Sequence, residues 1–221
     1  MWHRSITKQS FAFLQDVMAN SSPTRIQINN RRELVLETAA GFFVRKGFNG
    51  TSIRDIAKAA GMLPGSLYYH FPSKEALLVA VFEEGVQRIS DAVDNALSAC
   101  PDDAWARLQI ACEAHLATLL QGSDFAHVVV RVVPHDAPGA EQELVILRNA
   151  YEARFITLVE ALALPPGTDH SLFRLMLIGA MNHAPLWYRE GQETPASLAR
   201  QFITNLRFAQ DIGNSDIKEQ T

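Results

Sequence analysis

Two cysteines in 221 residues, Cys100 and Cys112, form no CxxC pair and sit beside no His or acidic cluster. A disulfide framework and a metal site are therefore not expected, and a reduced, cytoplasmic setting is. No apolar run reaches the about 18 residues needed to cross a bilayer. The opening MWHRSITKQSFAFLQD has no hydrophobic stretch ending in small residues, so neither a membrane partner nor an export signal is expected. GxSxG, HExxH, Walker and GxGxxG runs are missing, so the chain offers no catalytic residues and no cofactor site, and an enzyme is not expected. Period-two alternation bounded by turn residues is scarce as well, which argues against sheets.

What the chain does have is helical periodicity almost throughout. Hydrophobic residues make up 48% and charged residues 20%, the balance of an ordinary globular protein with one good core or two small ones. Glycine and proline breaks at Ser21–Pro23, Lys46–Gly50, Gly61, Phe71–Pro72, Cys100–Asp102, Gly122–Ser123, Pro134–Gly139, Pro165–Gly167 and Gly191–Pro195 delimit an all-α fold of about nine helices. The run Val128 to Val133 is the single β-like stretch, and it continues a helical pattern.

The net charge of -4 conceals an asymmetry. Residues 1–72 carry nine Lys or Arg against four Asp or Glu, or +5, and the remainder carry eleven against twenty, or -9. A basic module that meets phosphate is thus joined to an acidic one that does not. The expected organisation is an extension over 1–23, a basic unit over 24–73, an acidic unit over 74–212, to which the family resemblance set out below assigns DNA binding and ligand binding with dimerisation respectively, and a tail over 213–221. The extension holds Trp2, Ile6, Phe11, Phe13 and Leu14, compatible with a short amphipathic helix or a loose tail.

The segment TSIRDIAKAAGMLPGSLYYHF, residues 51–71, reads as helix, tight turn, helix. Thr51 or Ser52 can cap the first helix, and Ile53, Ile56 and Ala57 supply its buried stripe. Ala60 and Gly61 allow a sharp reversal, and Pro64 suits a first helical turn, where its missing N–H has no partner to lose. The short second helix then offers Gly65, Ser66, Tyr68, Tyr69 and His70 around an inward Leu67. Hydroxyl, phenol and imidazole tips suit phosphates and base edges. Lys74 opens the next helix, where a cation opposes the dipole and makes better sense as a phosphate clamp. Arg25, Arg31 and Arg32 form a basic approach that either reaches DNA or stays solvated.

From TSIRDIAKAAGMLPGSLYYHFPSKEALLVAV, and GSLYYHF followed by SKEALL above all, the sequence resembles the DNA-binding signature of the tetracycline-repressor (TetR) family over about residues 30–82. The resemblance implies phosphate contacts for Thr51 and Ser52, an operator face of Ser66, Tyr68, Tyr69 and His70, and a phosphate for Lys74. Pro64 stands where many members carry a polar base-reading residue, which shifts that burden to Gly65, Ser66 and Tyr69. The family plan also implies a homodimer on double-stranded operator DNA, with the two recognition helices about 34 Å apart on an inverted repeat.

The second half resembles the family in plan only. The stretch DHSLFRLMLIGAMNHAPLWY, residues 169–188, is apolar on nearly every side and needs cover all round, as a helix of a dimer interface would, together with residues 196–211. Polar groups embedded in apolar surroundings, Arg131, His135, Arg148, Tyr151, Arg154, Asn182, His183, Trp187 and Tyr188, need partners from the protein or from a ligand. Arg131, Arg148, Tyr151, Asn182, His183 and Trp187 are the candidate ligand residues. RVVPHDAPGAEQELVILRNAYEARF and LIGAMNHAPLWYREGQ are similar to the TetR-family repressors of fatty-acid, terpenoid or steroid catabolism. That similarity implies an acyl-CoA effector with basic groups near its phosphates. A neutral hydrophobic effector, or none, are the alternatives.

Overall fold

The structure, a computed structural model, describes residues 23–218 apart from 101 and 123, with side chains described between 31 and 207. The extension over residues 1–22 and the side chain of Arg25 lie outside it. Among the described residues there are nine α-helices and no strand: α1 Pro23–Lys46, α2 Ile53–Ala59, α3 Pro64–His70, α4 Lys74–Ser98, α5 Ala104–Gln121, α6 Asp124–Arg131, α7 Glu141–Glu160, α8 His170–Trp187 and α9 Pro195–Lys218. A 3₁₀ turn, Pro134–Asp136, joins α6 to α7. The all-α expectation holds, and the β-like run divides between the end of α6 and the turn after it.

Short side chains set the helix starts. Ser52, Ser73 and Asp103 each accept from the backbone N–H three residues on, at the heads of α2, α4 and α5. Asp169 accepts from Ser171 and Leu172 at the head of α8. Each cap satisfies amides that the helix cannot, a contribution of about 1 kcal/mol apiece.

One apolar cluster runs unbroken from the N-terminal helices into the C-terminal bundle. Helix α4 carries it across, because Leu77, Leu78, Val81 and Phe82 are fully buried at its start and Ile89 and Val93 further along. Helix α6 crosses α4 at Gly85, where a Cβ would lie 2.4 Å from the Phe125 carbonyl oxygen, so only glycine admits this approach. The same α6 packs on α1 and is tied to it by Arg45 and Asp124, 3.7 Å apart. The two units thus meet through a packed seam.

Within the single chain helix α8 is covered on one side only. Phe173, Leu177, Ile178, Met181 and Ala184 are buried, but Leu172, Leu175, Met176 and Leu186 on the opposite face are each more than half exposed in the single chain. No helix among the described residues is long and apolar enough to cross a membrane.

Candidate functional site

The helix-turn-helix forms as its sequence requires. Ile53, Ile56 and Ala57 seat α2 in the core, Gly61 takes φ +67° in the turn, and Pro64 occupies the first turn of α3. Leu67 is wholly buried, which fixes the roll of α3 and turns the rest of the helix outward. Gly65 and Ser66 are exposed, Tyr68 is 50% exposed and Tyr69 88% exposed. His70 is half-buried, edge-on to Tyr69 at 5.5 Å between ring centroids. Four of the five residues are thus exposed and His70 half-buried, around the buried Leu67.

Three flanking residues take other places. Thr51 is buried, and its hydroxyl donates to the Gly47 carbonyl at 2.7 Å, so that side chain secures the loop after α1 and does not face solvent as a phosphate contact must. The Ser52 hydroxyl is exposed and donates to the Asp55 carboxylate at 2.7 Å while capping α2. The Lys74 ammonium reaches back to the carbonyls of Phe48 and Thr51, at 2.8 and 3.0 Å, over the Phe48 ring. It spends two of its three protons on the same loop, which answers the question of what a cation does at a helix N-terminus without invoking a phosphate. Arg31 and Arg32 are exposed, and the Arg32 guanidinium stacks over Phe71.

In the second unit, Arg148, Tyr151 and Asn182 converge on a cavity of about 280 Å³ walled by Ile89, Val129, Val130, Val133, Leu175 and Ile178. His115, absent from the expected set, organises them. It is fully buried on α5; its Nε2 lies 3.0 Å from the Asn182 Oδ1 and its Nδ1 2.5 Å from the Tyr151 hydroxyl. An amide oxygen only accepts, so Nε2 carries the proton, Nδ1 accepts, and Tyr151 donates. Burial drives the His115 pKa down to about 4, which keeps the ring neutral, and burial raises that of Tyr151. The chain of bonds spans α5, α7 and α8 and leaves the Asn182 amide N–H groups at the cavity wall. The signal for His115 lay in the sequence: it stands on the same stripe of α5 as Leu108, Cys112 and Leu119, all buried.

Arg148 extends across the cavity to the end of α6, where its Nη2 donates to the carbonyls of Val132 and Val129 at 3.2 and 3.4 Å. Desolvation lowers its pKa, with Glu152 opposing. That carboxylate is held by Arg174 at 2.5 Å. Arg131 and His183 are exposed and line a shallower depression that shares Asn182 with the cavity. Trp187 is a correction: its ring packs edge-on against Phe202 of α9, 6.4 Å away, and does not line the cavity. Tyr188, Arg154 and His135 find protein partners in Glu193, Asp94 and Asp136.

The chain matches two family models, "Bacterial regulatory proteins, tetR family" over residues 35–81 and "Tetracyclin repressor-like, C-terminal domain" over residues 101–207. The HTH-type transcriptional repressor KstR2 of Mycobacterium tuberculosis is 52% identical over 52 residues, 24% of this chain and 26% of that protein. The match thus spans about a quarter of that relative's length. Two solved structures share the fold over most of their length. AibR, in complex with isovaleryl coenzyme A and operator DNA, superposes with a TM-score of 0.68 at 20% identity, covering 78% of this chain and 96% of that one. FadR of Bacillus subtilis, in complex with stearoyl-CoA, gives 0.66 at 18% identity, covering 79% and 96%. With its helix-turn-helix and its C-terminal bundle both matched, this chain belongs to the tetR family of bacterial regulatory proteins.

Proposed function

We propose that this chain is a cytoplasmic transcriptional repressor that holds an inverted-repeat operator as a homodimer and releases it when an acyl-CoA thioester or a similarly built small molecule enters the C-terminal cavity. In this reading residues 24–73 bind DNA, residues 74–212 bind the effector and pair the subunits, and residues 1–23 and 213–221 are terminal segments. Gly65, Ser66, Tyr68, Tyr69 and His70 read the operator, with Ser52 at its edge. Tyr69 supports this best, since a phenol 88% exposed beside a buried Leu67 contributes nothing to the core and is aimed outward.

The observation that carries effector control is the cavity itself. An apolar hollow with Arg148 and the Asn182 amide on its wall suits a molecule with an apolar body and an acceptor or acidic group. The coenzyme A complexes of AibR and FadR agree with a thioester. The uncovered face of α8 supports pairing, because a contiguous apolar patch of this kind marks an association surface. Arg131, His183 and Trp187, on or beside that helix, then lie nearer the partner subunit than the effector.

A thermal-shift screen of the purified dimer against coenzyme A thioesters of graded chain length, free acids and neutral hydrophobic drugs tests this. A ligand at about 100 times its Kd raises stability by about 2.7 kcal/mol. Stabilisation by thioesters, graded with chain length and accompanied by loss of operator binding, is the expected result. Stabilisation by neutral drugs alone would make the chain a multidrug-type sensor.

A further inference from the structure

Three arginines on α7 and α8 differ in one respect. Arg154 is clamped by Asp94 through two bonds of 2.8 and 2.7 Å, and Arg174 is paired with Glu152 at 2.5 Å. Arg148, on the cavity wall, has no carboxylate within ion-pair distance among the described residues. Glu152, one turn further along α7, is the natural mate of a cation at that spacing, but Arg174 from α8 has taken it. What Arg148 holds instead are the carbonyls of Val129 and Val132 at the end of α6. Helix ends leave carbonyls without intrahelical donors and carry partial negative charge, so a guanidinium there is favourable. At 3.2 and 3.4 Å, however, these bonds are far longer than the about 2.7 to 2.9 Å of a charge-assisted pair. The cation is also partly desolvated, with the Phe82 ring 5.9 Å away, and the carboxylate that opposes this cost, Glu152, is the one already paired with Arg174.

We propose that Arg148 is the effector-sensing cation of this protein: the effector carries an anionic group, carboxylate or phosphate, and that group draws the guanidinium away from the end of α6. The inference deepens the effector-responsive reading above and rests on it. The apolar part of the wall, Ile89, Val129, Val130, Val133 and Ile178, takes the apolar body of the ligand, and Glu152 on the same wall is neutralised by Arg174, so the ligand class is an anionic amphiphile. Helix α6 is only eight residues long. At its start Asp124 is tied to Arg45 of α1, and its middle is pressed onto α4 at Gly85, while Arg148 supplies a tie at its end. Removing that tie frees one end of a short lever whose other end rests on the first helix of the DNA-binding unit. A ligand whose head pairs with Arg148 thereby favours the conformer in which the tie is open.

The test uses the full-length dimer and a duplex bearing its inverted repeat, selected from random sequence. Arg148→Met keeps the stem and removes the cation; Arg148→Lys keeps a charge without the fork. Without ligand, Arg148→Met should bind the duplex about tenfold more weakly than the wild type while still melting cooperatively, and Arg148→Lys should fall between, since allosteric couplings span about 5- to 150-fold. Added to the wild type, decanoate or decyl phosphate should release the duplex and decanol should not, the stronger anion identifying the head group. Unchanged operator affinity in a folded Arg148→Met overturns the tie. Release by decanol as efficient as by the anions, or by neither anion, overturns the anionic head. Should Arg148→Met fail to fold, Arg148→Lys and the three wild-type titrations still decide. The coenzyme A thioester screen judges the effector-responsive reading separately.

Discussion

The Tyr151 hydroxyl and the His115 Nδ1, both buried side chains, lie 2.5 Å apart, and the imidazole can accept that bond only while it is neutral. Protonation would turn Nδ1 into a donor and place a charge in a buried site. In the unfolded chain the ring titrates near 6.5 and in the folded chain near 4, so between those values the unfolded state binds the extra proton. Stability from this site is therefore fully present above about pH 6.5 and declines as pH falls toward 4. The total loss is about 3 kcal/mol from a shift of this size. Denaturant melts of the wild type and of His115→Gln across that range check this, and equal slopes in the two proteins would remove His115 from the acid response.

Gly85→Ala should destabilise the fold far beyond an ordinary surface change. The new methyl would meet the Phe125 carbonyl oxygen at 2.4 Å and Val129 Cγ2 at 2.7 Å, and backbone cannot swing aside. Overpacking of this kind costs about 1 to 3 kcal/mol or more. Thermal unfolding reads it directly. A Tm equal to wild type would mean that α4 and α6 can separate freely.

Tyr69→Ala and Lys74→Met should fail in different ways. Tyr69 touches solvent, so its loss should leave Tm unchanged and weaken operator binding by about 1 to 3 kcal/mol. Lys74 donates to the Phe48 and Thr51 carbonyls, so its loss should lower stability by about 1 to 3 kcal/mol and keep the salt dependence of DNA binding. Binding isotherms at several salt concentrations make the distinction: a slope reduced by about one places the ammonium on a phosphate instead.

Met176→Glu should convert a dimer into a monomer. Met176 is 55% exposed on the same face of α8 as Leu172 and Leu175, and a carboxylate there would be buried without a partner across a twofold axis. Sedimentation at micromolar concentration gives the answer. A persistent dimer would move the interface elsewhere.

Legibility followed the range of the interactions. The helix-turn-helix was readable because its determinants are local: a cap at Ser52, a stripe at Ile53, Ile56 and Ala57, a left-handed glycine at Gly61. Arg148, Tyr151 and Asn182 were readable as polar groups in apolar surroundings, since burial demands partners whatever the fold. Thr51 and Lys74 took unexpected places because their partners, Gly47 and Phe48, belong to the loop that precedes the motif. His115 joins Tyr151 and Asn182 across 36 and 67 residues of sequence, a pairing that no periodicity encodes. Trp187 looked like a ligand residue only because α9, which it meets at Phe202, had no fixed place in a one-dimensional reading.

Leu175 belongs at once to the wall of the cavity and to the uncovered face of α8, with Gly179 beside it on the same wall. In the proposed dimer, a wall shared in this way would join the occupancy of the cavity and the pairing of subunits in a single thermodynamic cycle. An effector that shifted that wall would shift the dimer constant, and by reciprocity the association of two chains would alter how tightly each holds its guest. The half-point of an effector titration should accordingly drift with protein concentration. A cell that makes more of this protein would then retune the threshold of its response as well as enlarge it.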